Sequence, residues 1–435
     1  MKRKLLTVLM CGMFAISTFA QSGTTGSLIW TFSETTGELT IEGKGAMPDY
    51  DSDTQPWSDY QSSIKSVAIG DGVVRIGNRA FSDCALLVSI TMPNSVTTIG
   101  DYAFSYCSAL VSIHLSNSLT IIGEWTFVGC NSLISIILPN SLITIGDGAF
   151  SYCASLASIV IPNSVTTIGD HAFSSCTSFN SITIPNSITT VGKWAFVNCI
   201  SLTSILVDAN NSHYTSESGV LFDKKKEVLI QYPEGKKEKE YTVPNSVIKI
   251  GNSAFSNCVS LASITIPNSV ISIEMDAFLS CSFLKEVQVS WLTPLDIITG
   301  VLEDVDPNTS TAIPISIFFG VDLSVCTLYV PKDTKVLYEV ADGWRDFGTI
   351  IEGEMITDID TPELESTIYI AGNTLYVDTP VAEPISVYSI KGELLYEFNK
   401  PEGEATFSLN NDKEQIVIVK RGSGETKKII RGFGL

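Results

Sequence analysis

A Phe-x-x-Cys motif that recurs at a fixed interval constrains this chain more than any other feature of its sequence. Successive copies are 23 residues apart, except between Phe196 and Phe255, where one period and 36 further residues intervene. A repeat this short cannot bury its apolar side chains alone, but stacked repeats bury them against one another. The chain of 435 residues is therefore predicted to form a solenoid rather than one globular core. The motif phenylalanines are Phe81, Phe104, Phe127, Phe150, Phe173, Phe196, Phe255 and Phe278.

Each repeat contains two short extended segments. In one copy Ile182 and Ile184 alternate with a threonine, which is the pattern of a strand with one buried face. Pro185 ends this strand because it lacks an N–H donor. Ile188 and Val191 then place a second extended segment against the core, and the glycine that follows permits a sharp corner. Coils of this kind stack about 4.7–4.9 Å apart, the usual spacing between strands.

The segment after the corner glycine is predicted to form a single helical turn. Asp170 stands where it can cap that turn, which would hold Ala172, Phe173 and Cys176. Phenylalanine fills the middle of each coil, and alanine fits where the backbones of adjacent coils approach closely.

Eight of the ten cysteines share one position, three residues after the motif phenylalanine. We expect a buried column of reduced thiols, because disulfide geometry would strain the stack. There is no C-x-x-C pair for a tetrahedral metal site, so no metal or other cofactor is predicted. The cysteines of this column are Cys84, Cys107, Cys130, Cys153, Cys176, Cys199, Cys258 and Cys281.

The strings IPNSVTTIG and AFSYC resemble the bacterial BspA-like leucine-rich repeats. Further stretches resemble the cap, the hairpin island and the irregular closing unit of that family, so that the resemblance covers about residues 25–352. It implies a β-rich, right-handed leucine-rich-repeat solenoid. It also implies an extracellular or surface protein that adheres to proteins or glycans and has no enzymatic activity.

The predicted organisation places a signal peptide before the solenoid and a small domain after it. Lys2-Arg3-Lys4, an apolar run to Ile16 and a cleavage site at Ala20 are typical of export, and no later segment is apolar enough to span a membrane. A lipoprotein signal at Cys11 is the less favoured alternative. The predicted segments are the signal peptide 1–20, the N-terminal cap 21–65, the solenoid 66–290 with a hairpin insertion at about 207–242, the irregular closing repeat 291–352, the acidic linker 353–367 and the C-terminal domain 368–435.

The C-terminal domain alternates short apolar strands with turn residues, which predicts a small antiparallel β-sandwich. VYSIKGELLYEF and the final KKII resemble the sorting domains of type IX secretion in Bacteroidetes. The resemblance is partial, because Glu414-Gln415 stands where Gly-x-Tyr is usual and residues 431–435 extend past the lysine-rich end. Surface sorting and a purely structural end-piece are both open.

Charge and the outward strand position argue against two classes of function. The formal net charge of −20 disfavours nucleic acid and anionic membranes as partners. Catalysis would need carboxylates or bases that converge on a cleft, and the outward position of the first strand contains no acidic residue. We therefore predict that the protein is not an enzyme. That position is occupied by Ala68, Thr91, His114, Ile137, Val160, Thr183, Thr242, Thr265 and Gln288.

Variable positions on either side of the core phenylalanine carry aromatic side chains, which are preferred anchors at protein interfaces and for carbohydrate stacking. The alternative is that these rings only pack over neighbouring coils. A weaker candidate patch is formed by Ile137 and Val160, and the lysines of the insertion are either solvated or attract an acidic partner. The candidate aromatic residues are Tyr102, Tyr106, Trp125, Tyr152, His171 and Trp194.

These features together predict an exported cell-surface or secreted adhesion protein that binds a host or neighbouring-cell protein or glycan through its solenoid. The first alternative is a structural envelope component without a specific ligand. The second, less favoured, is a glycan-active enzyme. Ligand identity and oligomeric state do not follow from a repeat scaffold.

Overall fold

The computed structural model describes residues 20–302 and 313–353 and, further along the chain, seven strands between 367 and 430. The predicted signal peptide up to residue 19, including Cys11, and the greater part of the predicted linker, 354–366, lie outside the described residues. The chain divides into two units, Met1–Met355 and Ile356–Leu435, and each is described by itself.

The first unit begins with an antiparallel cap. The strands Ala20–Thr25, Leu28–Ser33 and Glu38–Gly43 pair in that order. The third of them pairs in parallel with Ser66–Ile69, the first strand of the solenoid, with Thr40 opposite Ala68. A 3-10 helix at Ser58–Ser63 follows Trp57, whose ring stacks on Phe81 at a centroid distance of 5.7 Å. The cap therefore covers the apolar end of the first coil.

Parallel strands follow two sides of the solenoid, as the alternating pattern predicts. Before the insertion the second strands form one seven-stranded sheet, whereas the first strands are divided among three shorter sheets. Partners in each sheet are one period apart, so Ile113 faces Ile136 in one sheet and Ile122 faces Ile145 in the other. The first strands of the coils are Ser66–Ile69, Ser89–Thr91, Ser112–His114, Ser135–Ile137, Ser181–Ile184 and Ser204–Val207. The second strands are Gly45–Ala46, Val73–Ile76, Thr98–Ile99, Ile121–Ile122, Thr144–Ile145, Thr167–Ile168 and Thr190–Val191.

The third side of each coil is a series of turns, and the prediction of a helical turn is wrong. The amides of His171 and Phe173 donate to the carbonyls of Lys193 and Ala195 in the next coil, both at 2.9 Å. The amides that alternate with them, those of Ala172 and Ser174, donate to carbonyls three residues back in their own coil. Asp170 does not cap its own coil, because its Oδ1 accepts the amide of Lys193 at 2.7 Å. Every second amide therefore donates a hydrogen bond to the neighbouring coil, whereas in a helix every amide would donate within its own segment.

The corner glycines have a different role from the one predicted. None of them has a positive φ, so conformational freedom is not what the corner requires. A Cβ on Gly146 would lie 2.7 Å from the carbonyl carbon of Gly123 in the preceding coil. Glycine is needed here because the backbones of neighbouring coils approach too closely for any side chain.

The interior of the solenoid consists of stacked columns, as predicted. The rings of Phe81, Phe104, Phe127, Phe150 and Phe173 follow one another at 5.4–5.5 Å and lie within 20° of parallel. The eight column cysteines are buried and unpaired by disulfides. The 23-residue solenoid predicted from the sequence is confirmed.

The insertion after the Phe196 coil interrupts both parallel sheets. Tyr214–Glu217, Val220–Asp223 and Val228–Gln231 form an antiparallel meander, whose last strand pairs in parallel with Lys249–Ile250. Glu240–Thr242 starts a new first-strand sheet. The buried apolar side chains accordingly form two clusters that divide at this insertion. The later strands of this block are Ser263–Ile266, Ser272–Ile273 and Glu286–Val289.

An irregular region closes the stack. It contains a hairpin of Ile298–Leu302 with Ile313–Ser316 and a 3-10 helix at Leu323–Val325. Two parallel strands, Thr327–Pro331 and Thr349–Gly353, extend the first-strand sheet. A short helix, Lys335–Val340, lies between them and buries Tyr338. No helix among the described residues is long and apolar enough to cross a membrane.

The second unit consists of two antiparallel sheets, which agrees with the strands predicted for a small sandwich. Ile385 and Val387 are buried in the four-stranded sheet. The three-stranded sheet contains Thr367–Ala371, Thr374–Thr379 and Gly403–Ser408, and the four-stranded sheet contains Leu394–Lys400, Glu383–Ser389, Ile416–Arg421 and Thr426–Ile430.

Candidate functional site

Four of the six candidate aromatic residues form one continuous ladder along the turn side of the solenoid. The rings of Tyr102 and Trp125 are 6.5 Å apart with 15° between their planes. Trp125 reaches His171 at 6.1 Å across an intervening coil, and His171 stacks on Trp194 at 5.0 Å and 18°. All four side chains are half-buried. Their faces are therefore occupied largely by one another.

Both ends of the ladder are closed. The guanidinium carbon of Arg79 lies 4.3 Å from the centre of the Tyr102 ring, which is a cation–π contact. At the other end the Trp194 indole donates to Ser253 Oγ at 3.0 Å across the insertion. The coil between Trp125 and His171 has Gly148 at the ladder position, and the Trp125 ring occupies the space that a Cβ on Gly148 would need. These contacts favour the alternative in which the four rings pack over neighbouring coils.

Tyr106 and Tyr152 stand apart from the ladder and are exposed to solvent, 56% and 57% respectively. They occupy the same position two coils apart, two residues after the core phenylalanine. The coil between them has Gly129 at that position, and a Cβ on Gly129 would lie 2.5 Å from the Tyr106 ring. The ring of Tyr106 therefore lies against the backbone of the next coil, in space that a side chain would otherwise fill.

The backbone at both variable positions is in the left-handed region. Tyr106 and Tyr152 have φ of 57° and 58°, and the ladder residues Trp125 and Trp194 have 52° and 55°. Glycine, asparagine and aspartate tolerate this conformation, whereas a bulky side chain there is uncommon. The other occupants of the Tyr106 position include Asp83, Gly129, Ser175, Asn198 and Asn257. The two tyrosines thus depart from the residue types that this backbone favours.

The second candidate patch, Ile137 and Val160, lies on the first-strand side. Their side chains are 77% and 82% exposed, the highest values among the large apolar side chains that the structure describes. His114 pairs with Ile137 in the neighbouring strand. Leu206, at the same position two coils after Val160, is 50% exposed and was missed in the sequence reasoning.

Sequence reasoning also missed the distribution of charge. Residues 102–207, here called the neutral block, contain four charged residues, Glu124, Asp147, Asp170 and Lys193, although the chain as a whole is 17% charged. All four follow a corner glycine directly. The first-strand side of the neutral block therefore carries no formal charge, and on its turn side charge is confined to the position directly after the corner glycine. Counting charged residues repeat by repeat would have found this feature.

The neutral block contains no conspicuous catalytic group. Burial raises the pKa of the Cys130 and Cys176 thiols to about 12, so these groups are not nucleophiles at neutral pH. Among the described residues there is no cluster of three or more His, Cys, Asp or Glu side chains that could hold a metal ion. The arrangement can bind through rings, apolar groups and neutral hydrogen-bonding groups.

The basic insertion is partly neutralised by its own carboxylates. Lys226 pairs with Glu217 at 2.9 Å, and Lys236 pairs with Glu238 at 3.0 Å. Lys236 is itself buried and donates to the Ser218 carbonyl at 2.9 Å. These pairs leave less free positive charge for an acidic partner than the sequence alone indicates.

Comparison with known proteins identifies the repeat. The family model described as the BspA type leucine rich repeat region matches residues 59–173, 143–226 and 234–297. A leucine rich cell surface protein from Faecalibacterium prausnitzii has 23% identity, with 77% of this chain and 96% of that chain covered and a TM-score of 0.54. A leucine-rich repeat protein from Eubacterium ventriosum has 24% identity, with 77% and 78% covered and a TM-score of 0.49. No curated protein matches the chain. The family model covers more than half of the sequence, and the chain belongs to the BspA-type leucine-rich repeat family.

Proposed function

We propose that this protein is exported and acts at the cell surface or outside the cell as an adhesion protein. Its partner is a protein or glycan of a host or neighbouring cell, and the neutral block of the solenoid is the binding surface. The observation that carries the proposal is the absence of charge from the first-strand side of that block and from its turn side beyond the position after the corner glycine, in a protein of net charge −20. Interface centres are typically depleted of charge and contain aromatic and apolar anchors.

Four further observations support this proposal. The most exposed large apolar side chains of the described residues, Ile137 and Val160, occupy the same repeat position in consecutive coils of the neutral block. The similar protein from Faecalibacterium prausnitzii is named a cell surface protein. The first 20 residues have the composition of a signal peptide. The resemblance of the C-terminal domain to type IX sorting domains supports attachment to the surface by that route.

A binding function without catalysis is also part of the proposal. The described cysteines are buried, and the repeat position occupied by Thr91, Ile137 and Val160 contains no carboxylate in any coil. A glycan-active enzyme would need such groups where a substrate can reach them.

The proposal is tested by measuring binding of the purified protein to arrays of surface proteins and glycans, with variants taken from its own repeats. Ile137→Thr/Val160→Thr installs the residue found at Thr91 and Thr183, and Tyr106→Asn/Tyr152→Asn installs the residue found at Asn198. We expect at least one pair to weaken binding roughly tenfold or more. The control is Ile121→Thr on the second-strand side, where Thr98 and Thr144 occupy the equivalent position.

Two results would contradict the proposal. If no ligand on either array is bound, the structural envelope component becomes the better account. If ligand is bound equally well by both variants, the surface that binds lies outside the neutral block. Protease treatment of intact producing cells tests the location separately, since a surface protein is cleaved and a periplasmic one is protected.

A further inference from the structure

We infer that the ligand of the neutral block is an uncharged, extended glycan that stacks on Tyr106 and Tyr152. This inference rests on the proposed function and names the chemical class of its ligand.

The two rings are placed as separate platforms on a rigid support. They are two coils apart, so equivalent atoms of their backbones are about 9.4–9.8 Å apart along the stack. A spacing of this kind suits alternate residues of an extended glycan, in which every second sugar presents the same face. Backbone hydrogen bonds connect the two coils through the coil between them: the Tyr106 amide donates to the Val128 carbonyl at 2.7 Å, and the Gly129 amide donates to the Ser151 carbonyl at 2.9 Å.

The Tyr106 ring is supported by the next coil and is accessible to solvent. It lies against Gly129, and the residue as a whole is 56% exposed. Sugar rings stack on aromatic faces through their C–H groups, and a ring that is already supported loses little freedom when a sugar binds. The ladder rings lack this property because their faces contact one another.

Groups beside the two tyrosines can bond to sugar hydroxyls without selecting for charge. Two residues after the tyrosine position, successive coils have Ser108, Asn131, Ala154 and Thr177. Asn131 is exposed, and Ser108 and Thr177 are half-buried. Hydroxyl and amide groups both donate and accept hydrogen bonds, as sugar hydroxyls do.

Electrostatics decides against an acidic glycan. Asp83 occupies the tyrosine position of the coil before Tyr106, the neutral block itself contains Glu124, Asp147 and Asp170, and the whole protein is acidic. An anionic polysaccharide would be repelled, whereas a neutral one experiences no net force.

Retention on insoluble polysaccharides tests the inference. The purified protein is incubated with amorphous β-1,4-glucan, β-1,3-glucan, β-mannan and, as the anionic comparison, polygalacturonate. We expect retention on at least one neutral polysaccharide and none on polygalacturonate. The Tyr106→Asn/Tyr152→Asn variant should bind the retaining polysaccharide roughly tenfold or more weakly, while Ile121→Thr binds as the unaltered protein does.

Both replacements in the tyrosine variant suit the backbone, because asparagine occupies this position at Asn198 and Asn257 with φ of 61° and 54°. A folded variant is confirmed by an unchanged circular dichroism spectrum and a midpoint of thermal unfolding no lower than that of the unaltered protein. A stable variant that still binds the neutral polysaccharide fully overturns the inference.

Other outcomes separate this inference from the proposed function. Failure to bind any neutral polysaccharide overturns the inference. If a protein ligand is bound and only Ile137→Thr/Val160→Thr weakens that binding, the inference is overturned and the proposed function stands. If neither a glycan nor a protein is bound, both are overturned.

Discussion

Seven of the eight thiols of the cysteine column, all except Cys84, donate a hydrogen bond that an apolar side chain could not make. The Sγ atoms of Cys130 and Cys153 donate to the Phe104 and Phe127 carbonyls of the preceding coil, both at 3.2 Å. The column is thus a series of weak hydrogen bonds that join coils, in addition to its packing. These bonds join the coils without any disulfide among the column cysteines.

We predict that the column thiols do not react in the native protein. Burial raises the pKa of Cys130, Cys176 and Cys281 to about 12, and the reactive thiolate is both scarce and inaccessible at pH 8. Iodoacetamide labelling mapped by mass spectrometry should modify these positions only after denaturation. Labelling of any column cysteine in the native protein within minutes would contradict the prediction.

One buried carboxyl marks the place where the repeat is interrupted. Glu234 is 3% exposed, and its Oε1 accepts the Asn198 amide at 2.7 Å. In uninterrupted coils this amide position donates to a carbonyl of the next coil, as Ser175 does to Val197. The side chain therefore replaces a backbone acceptor that the insertion has displaced. Its Oε2 has no hydrogen-bond partner in the protein.

We predict that Glu234 makes the protein less stable as pH rises. Burial is the main cause that raises its pKa to about 8, so the folded state holds this proton more tightly than the unfolded state does. The stabilisation is complete below about pH 4.5, the usual value. Between the two pKa values it falls by up to about 1.4 kcal/mol per pH unit.

The Glu234→Gln variant tests this prediction, because glutamine keeps the acceptor and cannot ionise. Its free energy of unfolding, measured in urea from pH 5 to pH 9, should exceed that of the unaltered protein increasingly above pH 6. The control is Glu227→Gln at a half-exposed position of the same insertion, which should leave the pH profile unchanged. Parallel profiles for Glu234→Gln and the unaltered protein would contradict the assignment.

At the scale of the element, the corner glycine determines how closely coils stack. The same close approach occurs at Gly123, Gly146 and Gly169, where a Cβ would lie 2.4–2.8 Å from atoms of the preceding coil. Backbone atoms are among these neighbours and cannot rotate away, in contrast to the end of a flexible side chain. At the corner beside the second-strand sheet, the backbones of these coils are therefore in contact with no side chain between them.

We predict that Gly146→Ala destabilises the protein by about 1–3 kcal/mol, the range for overpacking of a close-packed interior. The free energy of unfolding from urea titration measures the effect. Ser135→Ala, at an exposed position of a first strand, should stay within about 0.5 kcal/mol of the unaltered protein. An equally small effect for Gly146→Ala would show that the coils can separate at the corner.

An element can be predicted from the sequence when its contacts leave a pattern within one repeat, and it cannot when it depends on contacts between repeats. The alternation of Ile182 and Ile184 determines the strand and its buried face, because burial leaves a period-2 pattern in the sequence. The segment with Phe173 and Cys176 could not be predicted in the same way. Residues three apart share one side in a helical turn and also in a series of turns, and only hydrogen bonds to the next coil distinguish the two.

The candidate site shows the same limit. The sequence predicts the columns that contain Trp125 and Tyr106, but it does not say which rings face solvent. Ring orientation depends on the left-handed backbone and on which neighbouring coil has a glycine. Gly148 receives the Trp125 ring, and Gly129 receives the Tyr106 ring. These are contacts between different repeats, which no pattern within one repeat contains.

At the scale of the whole molecule, charge is separated along the solenoid. The neutral block lies between a cap and an insertion that both contain charged side chains, for example Asp49 with Arg75 and Lys226 with Glu217. The first-strand side of the middle coils is thereby left free for uncharged contacts in a protein of net charge −20.

We predict that ligand binding depends little on salt. Contacts through uncharged rings and hydroxyls are not screened, so the dissociation constant should change by less than about twofold between 0.05 and 0.5 M sodium chloride. The lysines of the insertion would give the opposite behaviour, because attraction to an acidic partner weakens steeply with ionic strength. Isothermal titration calorimetry or a retention assay over this range distinguishes the two surfaces.

Hydroxyl-radical footprinting of the protein, free and bound to its ligand or to intact target cells, tests most directly whether the neutral block is the binding surface. The account predicts that oxidation of Tyr106 and Tyr152 falls on binding, while Tyr329 in the closing region and the lysine-bearing insertion are oxidised equally in both states. Protection confined to the insertion or the closing region, with Tyr106 and Tyr152 unchanged, would contradict it.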